Sequence, residues 1–82
     1  YVMPQYFFDL HECGDIVEDI EGHDLANDDA AREIAIRFAR SIMVAEVTDG
    51  RLCLGCAILV RNADRRVVLE VPFRDAITLS GL

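Results

Sequence analysis

The residues with the clearest chemical potential are two cysteines three positions apart, Cys53 and Cys56, in the segment CLGC. A Cys-x-x-Cys pair is a redox-active dithiol when it lies at a helix N-terminus, and two such pairs together hold zinc. This chain has one pair, and the apolar residues around it are typical of a strand. Side chains three apart on a strand point to opposite faces, so they neither converge on a metal nor easily form a disulfide. We therefore predict two buried structural cysteines.

A third cysteine and two histidines extend the set of possible ligands to Cys13, His11 and His23. Thiolates and imidazoles are common zinc ligands, and His11 and Cys13 share one face if the first strand continues that far. Together with Cys53 and Cys56 they define an alternative hypothesis, a metal- or thiol-dependent regulator. Because nothing in the spacing brings the five side chains together, we predict no bound metal and no other cofactor.

The acidic segment 18–29 matches a calcium-binding loop in charge but not in spacing. If Gly22 takes the glycine position of an EF-hand loop, Val17 falls at the first ligand position. Asp28 then stands where a bidentate glutamate belongs. We interpret the segment as a solvated acidic surface.

Catalytic motifs are missing from the sequence. Ser41 and Ser80 lack the Gly-x-Ser-x-Gly motif of a hydrolase, and no glycine-rich phosphate loop is present. Two histidines beside many carboxylates are too general a pattern to indicate acid–base catalysis. We predict a protein without catalytic activity of its own.

The spacing of apolar residues predicts the elements that would position these side chains. Residues 5–10 (QYFFDL) are typical of a strand, with Tyr6 and Phe8 on one face and Phe7 on the other. Residues 15–22 predict a weaker second strand, which forms a hairpin with the first.

From residue 27 onward the period changes to that of a helix. Its N-cap is predicted at Asn27 or Asp28, with Asp29 adding negative charge near the positive end of the helix dipole. Gly50 is the predicted stop. The apolar stripe consists of Ala31, Ile34, Ala35, Phe38, Ile42 and Ala45.

Residues 52–61 and 65–73 predict a second hairpin around a turn at 62–64. Pro72 has no N–H to donate, so it suits the end of the last strand or a sheet edge. The fold class we predict is α+β in the order β-β-α-β-β: an antiparallel four-stranded sheet of two hairpins with one helix packed on one face.

A single helix covers only one face of such a sheet. In the second strand, alternation places Ile16 and Ile20 on the helix side and Val17 on the uncovered side. We predict that the uncovered face is apolar and that a second copy of the chain, or another protein, packs against it. The candidate interface residues are Phe7, Val17, Leu59, Val68 and Pro72.

Composition supports one small domain over residues 1–82. A chain of 82 residues, 52% of them hydrophobic, can hide only part of its apolar side chains in one core, which favours a homodimer. The net charge is −7, and residues 1–31 hold nine acids and no Lys or Arg. A surface of this kind is repelled by nucleic-acid phosphates and anionic membranes, so we predict that the protein binds neither.

We expect a cytoplasmic protein. No apolar run approaches the ~20 residues of a membrane span, no signal peptide is visible, and three cysteines do not make a secreted disulfide framework. We expect Tyr1 and Val2 to be tag remnants and residues 78–82 to form a flexible tail.

The segments MPQYFFDL (3–10), DIEG (19–22) and VPFRDAI (71–77) resemble a family of short alphaproteobacterial proteins, such as those of rhizobia. Its members typically open with Met-Pro-x-Tyr-Phe-Phe and close on Val-Pro-Phe. The resemblance spans Met3 to about Ile77 and implies a domain of unknown function, with no catalytic residues to carry over. The CLGC segment departs from the family pattern, which counts further against a metal or redox role.

Overall fold

The structure is a computed structural model that describes residues 3–12 and 14–81. Tyr1 and Val2, the predicted tag remnants, lie outside these ranges, as do Cys13 and Leu82. In chain order the elements are β1 (Gln5–Glu12), β2 (Asp15–Val17), β3 (His23–Asp24), α1 (Asp28–Thr48), β4 (Ala57–Arg61), β5 (Val67–Pro72) and a 3₁₀ turn (Phe73–Asp75).

All strand pairs are antiparallel, in the order β2-β1-β4-β5, and β3 pairs with the beginning of β1. Helix α1 packs on one face of this sheet, over β4 and β5. The predicted α+β class, one helix on an antiparallel sheet, is confirmed. The predicted β-β-α-β-β order of two hairpins is matched only in part, because the second strand is split into β2 and β3.

The split occurs at the acidic loop 18–22, which was predicted to continue the second strand. Within this loop the carboxylate of Asp19 accepts a hydrogen bond from the backbone N–H of Phe8 at 3.1 Å. A side chain thus takes the place of a ladder partner at this point of β1. The chain turns at Gly22, whose φ of 76° lies in the left-handed region, and re-enters the sheet as β3.

The prediction for the faces of β2 is wrong by one residue. Val17 pairs with Leu10 and Ile16 pairs with His11, so Val17 lies on the helix side and Ile16 on the opposite side. Side chains alternate with a period of two, so a one-residue difference in register exchanges the faces of the whole strand. Val17, a candidate interface residue, is therefore not on the uncovered face.

The helix prediction is confirmed at both ends. The side chain of Asn27 caps the first turn by accepting from the backbone N–H of Ala30 at 2.9 Å, and Gly50 follows the helix with a φ of 86°. The buried stripe is narrower than predicted and consists of Ala31, Ala35, Ala39 and Met43. The three alanines let the helix approach the sheet closely, whereas Phe38 and Ala45 lie outside the buried stripe and are exposed.

Strand β4 begins at Ala57, five residues later than predicted. Leu54 and Gly55 form a turn, so the CLGC segment lies outside the strand. The carbonyl of Cys56 accepts a hydrogen bond from the N–H of Phe73 at 2.9 Å, which ties the end of this turn to the end of β5. The prediction of CLGC as a strand segment is therefore wrong.

The core lies between α1 and the sheet. Phe73, Ile58 and Val60 are its largest fully buried side chains, and Tyr6 and Phe8 of β1 are buried with them, as alternation predicted. Residues 78–81, in the segment predicted as a tail, are exposed and have no regular secondary structure.

Candidate functional site

The sheet face opposite the helix is called the outer face here. Strand pairing arranges it in rows across the sheet, because residues opposite one another on neighbouring strands share a face. The residues of the outer face are Gln5, Phe7, Asp9, His11, Ile16, Asp24, Ala57, Leu59, Arg61, Glu70 and Pro72. Most of the apolar members are partly buried, whereas Ile16 is 60% exposed.

An ion pair occupies the middle of the outer face. Arg61 donates from Nε to Asp9 Oδ2 at 2.6 Å and from Nη2 to Asp9 Oδ1 at 3.2 Å. The backbone N–H of Asp19 donates a third hydrogen bond to Asp9 Oδ1 at 3.0 Å. The hydrogen bonding that Arg61 donates to the Asp9 carboxylate raises the pKa of Arg61, which keeps the guanidinium charged. The side chains are 6% and 14% exposed, for Asp9 and Arg61 respectively, so the pair is desolvated and satisfied within one chain.

Phe7 is enclosed more than the sequence predicted. The guanidinium carbons of Arg61 and Arg65 each lie 5.7 Å from its ring centroid, a cation–π distance. Gly22 approaches the ring so closely that a Cβ at this position would lie 2.9 Å from Phe7 Cε1. Phe7 thus serves the packing of the acidic loop as well as the outer face.

Asp19 organises the acidic loop. Its carboxylate accepts from the N–H groups of Phe8 and Glu21 at 3.1 Å and of Gly22 at 3.2 Å. Partial burial opposes ionisation of this carboxyl, but the three backbone donors and nearby His23 outweigh burial and lower its pKa. The carboxylate therefore has a structural role. The predicted solvated acidic surface, segment 18–29, has a second member with an internal partner, because Asp28 Oδ1 accepts from the Tyr6 hydroxyl at 2.8 Å.

On the helix side, an open cleft of about 520 Å³ lies between α1 and β2. Because the helix packs over β4 and β5, it leaves this side of the sheet uncovered. The walls are mainly apolar and include Val17, which is 56% exposed. The lining residues are Phe8, Leu10, Val17, Glu18, Asp19, His23, Ile34, Arg37, Phe38 and Ser41.

The cleft contains one histidine–carboxylate pair. His23 Nδ1 lies 3.6 Å from Asp19 Oδ2, which is longer than a hydrogen bond. The His23 ring also contacts Phe8 edge to face, with the ring centroids 5.3 Å apart. Asp19 already accepts three backbone hydrogen bonds and lies too far from His23 to accept a fourth from it. The two side chains therefore interact electrostatically, and they are not aligned to transfer a proton.

The thiols of Cys53 and Cys56 are brought together. The Cys56 thiol donates to Cys53 Sγ with the two sulfur atoms 3.2 Å apart. This contradicts the prediction that the side chains diverge, because that prediction depended on a strand and the segment is a turn. Cys56 is buried, as predicted, whereas Cys53 is partly exposed.

The two histidines of the predicted ligand set are not gathered around the thiols. His11 lies on the outer face opposite Ala57, and His23 lines the cleft on the other side of the sheet. Within residues 3–12 and 14–81, no group of three or more His, Cys, Asp or Glu side chains is placed to hold a metal ion. Cys13, the fifth predicted ligand, lies outside these ranges.

The candidate interface residues also separate. Phe7, Leu59 and Pro72 lie on the outer face and Val17 lines the cleft. Val68 is partly buried against the core, beside a bulge at which Arg61 pairs with Val67. Sequence reasoning missed Ile16 as an outer-face residue, and the signal that could have found it is the register of the first hairpin.

Family comparison agrees with the resemblance at its coarser level. A model of a family described as a domain of unknown function (DUF6894) matches residues 5–74. The chain belongs to this family. The matched range takes in every strand and the helix of the DUF6894 fold described above. No curated protein and no solved structure shows significant similarity to the chain.

Among the described residues, no helix combines the length and the apolar character that a bilayer crossing requires.

Proposed function

We propose that this DUF6894 protein is a small cytoplasmic binding module without catalytic activity, which self-associates by packing the outer face of its sheet against that of a second copy. The observation that carries the proposal is the Asp9–Arg61 pair, whose hydrogen bonds are satisfied within one chain on the sheet face opposite the helix. The cytoplasmic location stays a prediction from the sequence.

The apolar part of the outer face supports this proposal. Ile16, Ala57 and Pro72 lie in one row with His11, and Leu59 lies in the neighbouring row. Contact with a second copy would remove the exposed parts of these side chains from water. This burial stabilises the complex by about 25 cal/mol for each Å² of apolar surface removed. Two packed sheets bury such residues by interdigitation at a spacing of about 10 Å.

The ion pair does not oppose this association. Burying a charged group that lacks a partner costs several kcal/mol. Asp9 and Arg61 are already largely withdrawn from water in one chain, and three hydrogen bonds satisfy the carboxylate. A second sheet can therefore cover the pair with little further loss of hydration.

The local charge of the outer face is small although the whole chain carries −7. The guanidinium groups of Arg61 and Arg65 lie over the Phe7 ring and offset two of the three carboxylates on this face, which belong to Asp9, Asp24 and Glu70. Like-charged surfaces repel, whereas a face with little net charge lets two acidic chains approach each other. The acidic loop 18–22, which lies beside this face, remains available for a basic partner.

Substitution of Leu59 by Lys tests the proposal in solution. Leu59 stands beside the exposed Glu70 in its row, so a lysine there gains an acidic neighbour, and we expect the monomer fold to tolerate it. Inside a dimer the same charge would be buried, and we expect Leu59→Lys to weaken self-association at least about 100-fold. Size-exclusion chromatography with light scattering at tens of micromolar measures the mass of each form.

Val44→Lys is the matched control, because Val44 is 67% exposed on the helix. The proposal predicts a dimeric wild type, a monomeric Leu59→Lys and a dimeric Val44→Lys. A monomeric wild type contradicts self-association, and a dimer that only Val44→Lys dissociates assigns the interface to the helix. Leu59 is preferred to Phe7 as the test position, because replacing Phe7 also disturbs the packing of Gly22.

The metal-dependent alternative, with ligands from His11, His23, Cys13, Cys53 and Cys56, stays a prediction. Its His11 and His23 lie on opposite faces of the sheet, which argues against one site that holds all five. Elemental analysis of protein purified without a His-tag tests it. Stoichiometric zinc would support the alternative, and loss of that zinc in Cys56→Ser would assign it to the thiols.

A further inference from the structure

The turn before β4 holds two thiols in contact. Cys53 Sγ and Cys56 Sγ lie 3.2 Å apart, and a disulfide requires about 2.0 Å. Small rotations of two side chains close such a gap without moving a strand. The turn at Leu54 and Gly55 favours closure of the gap, because it lies between the two cysteines and brings their side chains to the same side.

The two thiols differ in access. Cys56 is 4% exposed and its carbonyl accepts the N–H of Phe73, so it is held against the core. Cys53 is partly exposed at the beginning of the turn. In dithiol sites, an accessible sulfur reacts first and a protected neighbouring sulfur resolves the intermediate.

We propose that Cys53 and Cys56 form a reversible intramolecular disulfide by exchange with a low-molecular-weight disulfide of the glutathione class. The thiolate of Cys53 attacks one sulfur of the small disulfide, forms a mixed disulfide and releases one small thiol. Cys56 then loses its proton and attacks Cys53 Sγ, which releases the second small thiol. Overall the protein loses two hydrogen atoms, that is two protons and two electrons, and one small disulfide takes them up to become two thiols.

The disulfide would act on the connection between α1 and β4. It closes a short loop, which limits the conformations available to the unfolded chain there. Because Cys56 already accepts the N–H of Phe73, the crosslink attaches Cys53, at the end of this connection, to a residue that is held against the end of β5. We expect the oxidised form to melt several degrees higher than the reduced form. This inference does not depend on self-association, since the thiols belong to one chain.

Mass spectrometry of the full chain tests the proposal. Reduced protein is incubated with oxidised glutathione, and remaining thiols are blocked with an alkylating reagent before digestion. The expected peptide that contains Cys53 and Cys56 has lost the mass of two hydrogen atoms, carries neither glutathione nor the alkylating reagent, and has a disulfide between the two cysteines. Dithiothreitol should restore the starting mass.

Two variants separate the steps. Cys56→Ser removes the resolving thiol, so the mixed disulfide with glutathione should accumulate at Cys53. Cys13→Ser should leave the crosslink unchanged. The wild-type peptide map needs no variant, so it remains decisive if Cys56→Ser folds poorly. A persistent glutathione adduct on Cys53 in the wild type, a crosslink through Cys13, or no reaction of either thiol would overturn the proposal.

Discussion

Replacing Asp19 by Ala is the most informative test of how the acidic loop is held. The change removes a carboxylate that accepts three backbone hydrogen bonds, from Phe8, Glu21 and Gly22. The three N–H donors differ in whether water can replace the lost carboxylate. Glu21 and Gly22 belong to the loop and can turn to water, whereas the N–H of Phe8 belongs to β1 beneath the loop.

The magnitude follows from these three contacts. A buried donor left unsatisfied costs about 1–3 kcal/mol, and each of the two loop bonds contributes about 0.5 kcal/mol because water replaces its acceptor. We therefore expect Asp19→Ala to lower the free energy of unfolding by about 2–4 kcal/mol. A domain of this size has a total stability of about 4–12 kcal/mol, so the effect is large. Asp19→Asn keeps one acceptor and should cost about half as much.

Urea unfolding followed by circular dichroism measures both variants. Glu21→Gln is the matched control, because it removes one negative charge from the same loop at an exposed position, and we expect a change within about 0.5 kcal/mol. Hydrogen exchange at Phe8 adds a local readout, which should accelerate in Asp19→Ala. An Asp19→Ala variant as stable as Glu21→Gln would refute the role assigned to this carboxylate.

The pH dependence of the wild type gives a second readout of Asp19. Its pKa in the folded protein lies below the usual 3.8, so its contribution to stability is complete above about pH 4 and is lost as the pH falls through the folded pKa. We expect part of the acid-induced loss of stability below pH 4 to be missing from Asp19→Asn. If the free energy of unfolding fell equally in the two proteins below pH 4, the lowered pKa of Asp19 would be contradicted.

Two further predictions concern the outer face. Arg61→Met should lower the free energy of unfolding in urea by about 3–5 kcal/mol, because it leaves Asp9 buried without its cation. The double variant Asp9→Leu/Arg61→Met should recover most of this loss. If the single and double variants were equally unstable, the loss would not come from the ion pair. Gly22→Ala should cost about 1–2 kcal/mol more than Gly50→Ala. Both positions have positive φ, but only at Gly22 does the new methyl group meet the ring of Phe7, so equal costs would contradict that contact.

The helix and the first strand could be predicted because each depends on local sequence. Asn27 at the cap and Gly50 after the last turn define α1, and the alternation of Tyr6, Phe7 and Phe8 assigns their faces in β1. These signals need no knowledge of distant residues.

The contacts that make the outer face could not be predicted in the same way. Asp9 and Arg61 are 52 positions apart, and they meet only because β1 and β4 are neighbours in the sheet. Strand order was not determined by the sequence pattern, so the pair and its effect on the face stayed hidden. The same limit applies to Asp19, whose bond to Phe8 replaces a ladder contact that the pattern assigned to a continuous strand.

The turn at Cys53 and Cys56 was missed for a different reason. An apolar run is compatible with a strand or with a buried turn, and Gly55 was the one local sign of the turn. The strand assignment then determined the expected direction of both thiols. An error of a few residues in the start of β4 therefore reversed the conclusion about their contact.

The most direct test of the central claim is an isotope-filtered NMR experiment on a mixture of labelled and unlabelled chains, which detects contacts between two copies. Self-association through the outer face predicts intermolecular signals from the methyl groups of Leu59 and Ile16. Signals confined to Val44 and Val47 of the helix, or no intermolecular signals at a concentration where the mass is that of a dimer, would contradict the proposed face.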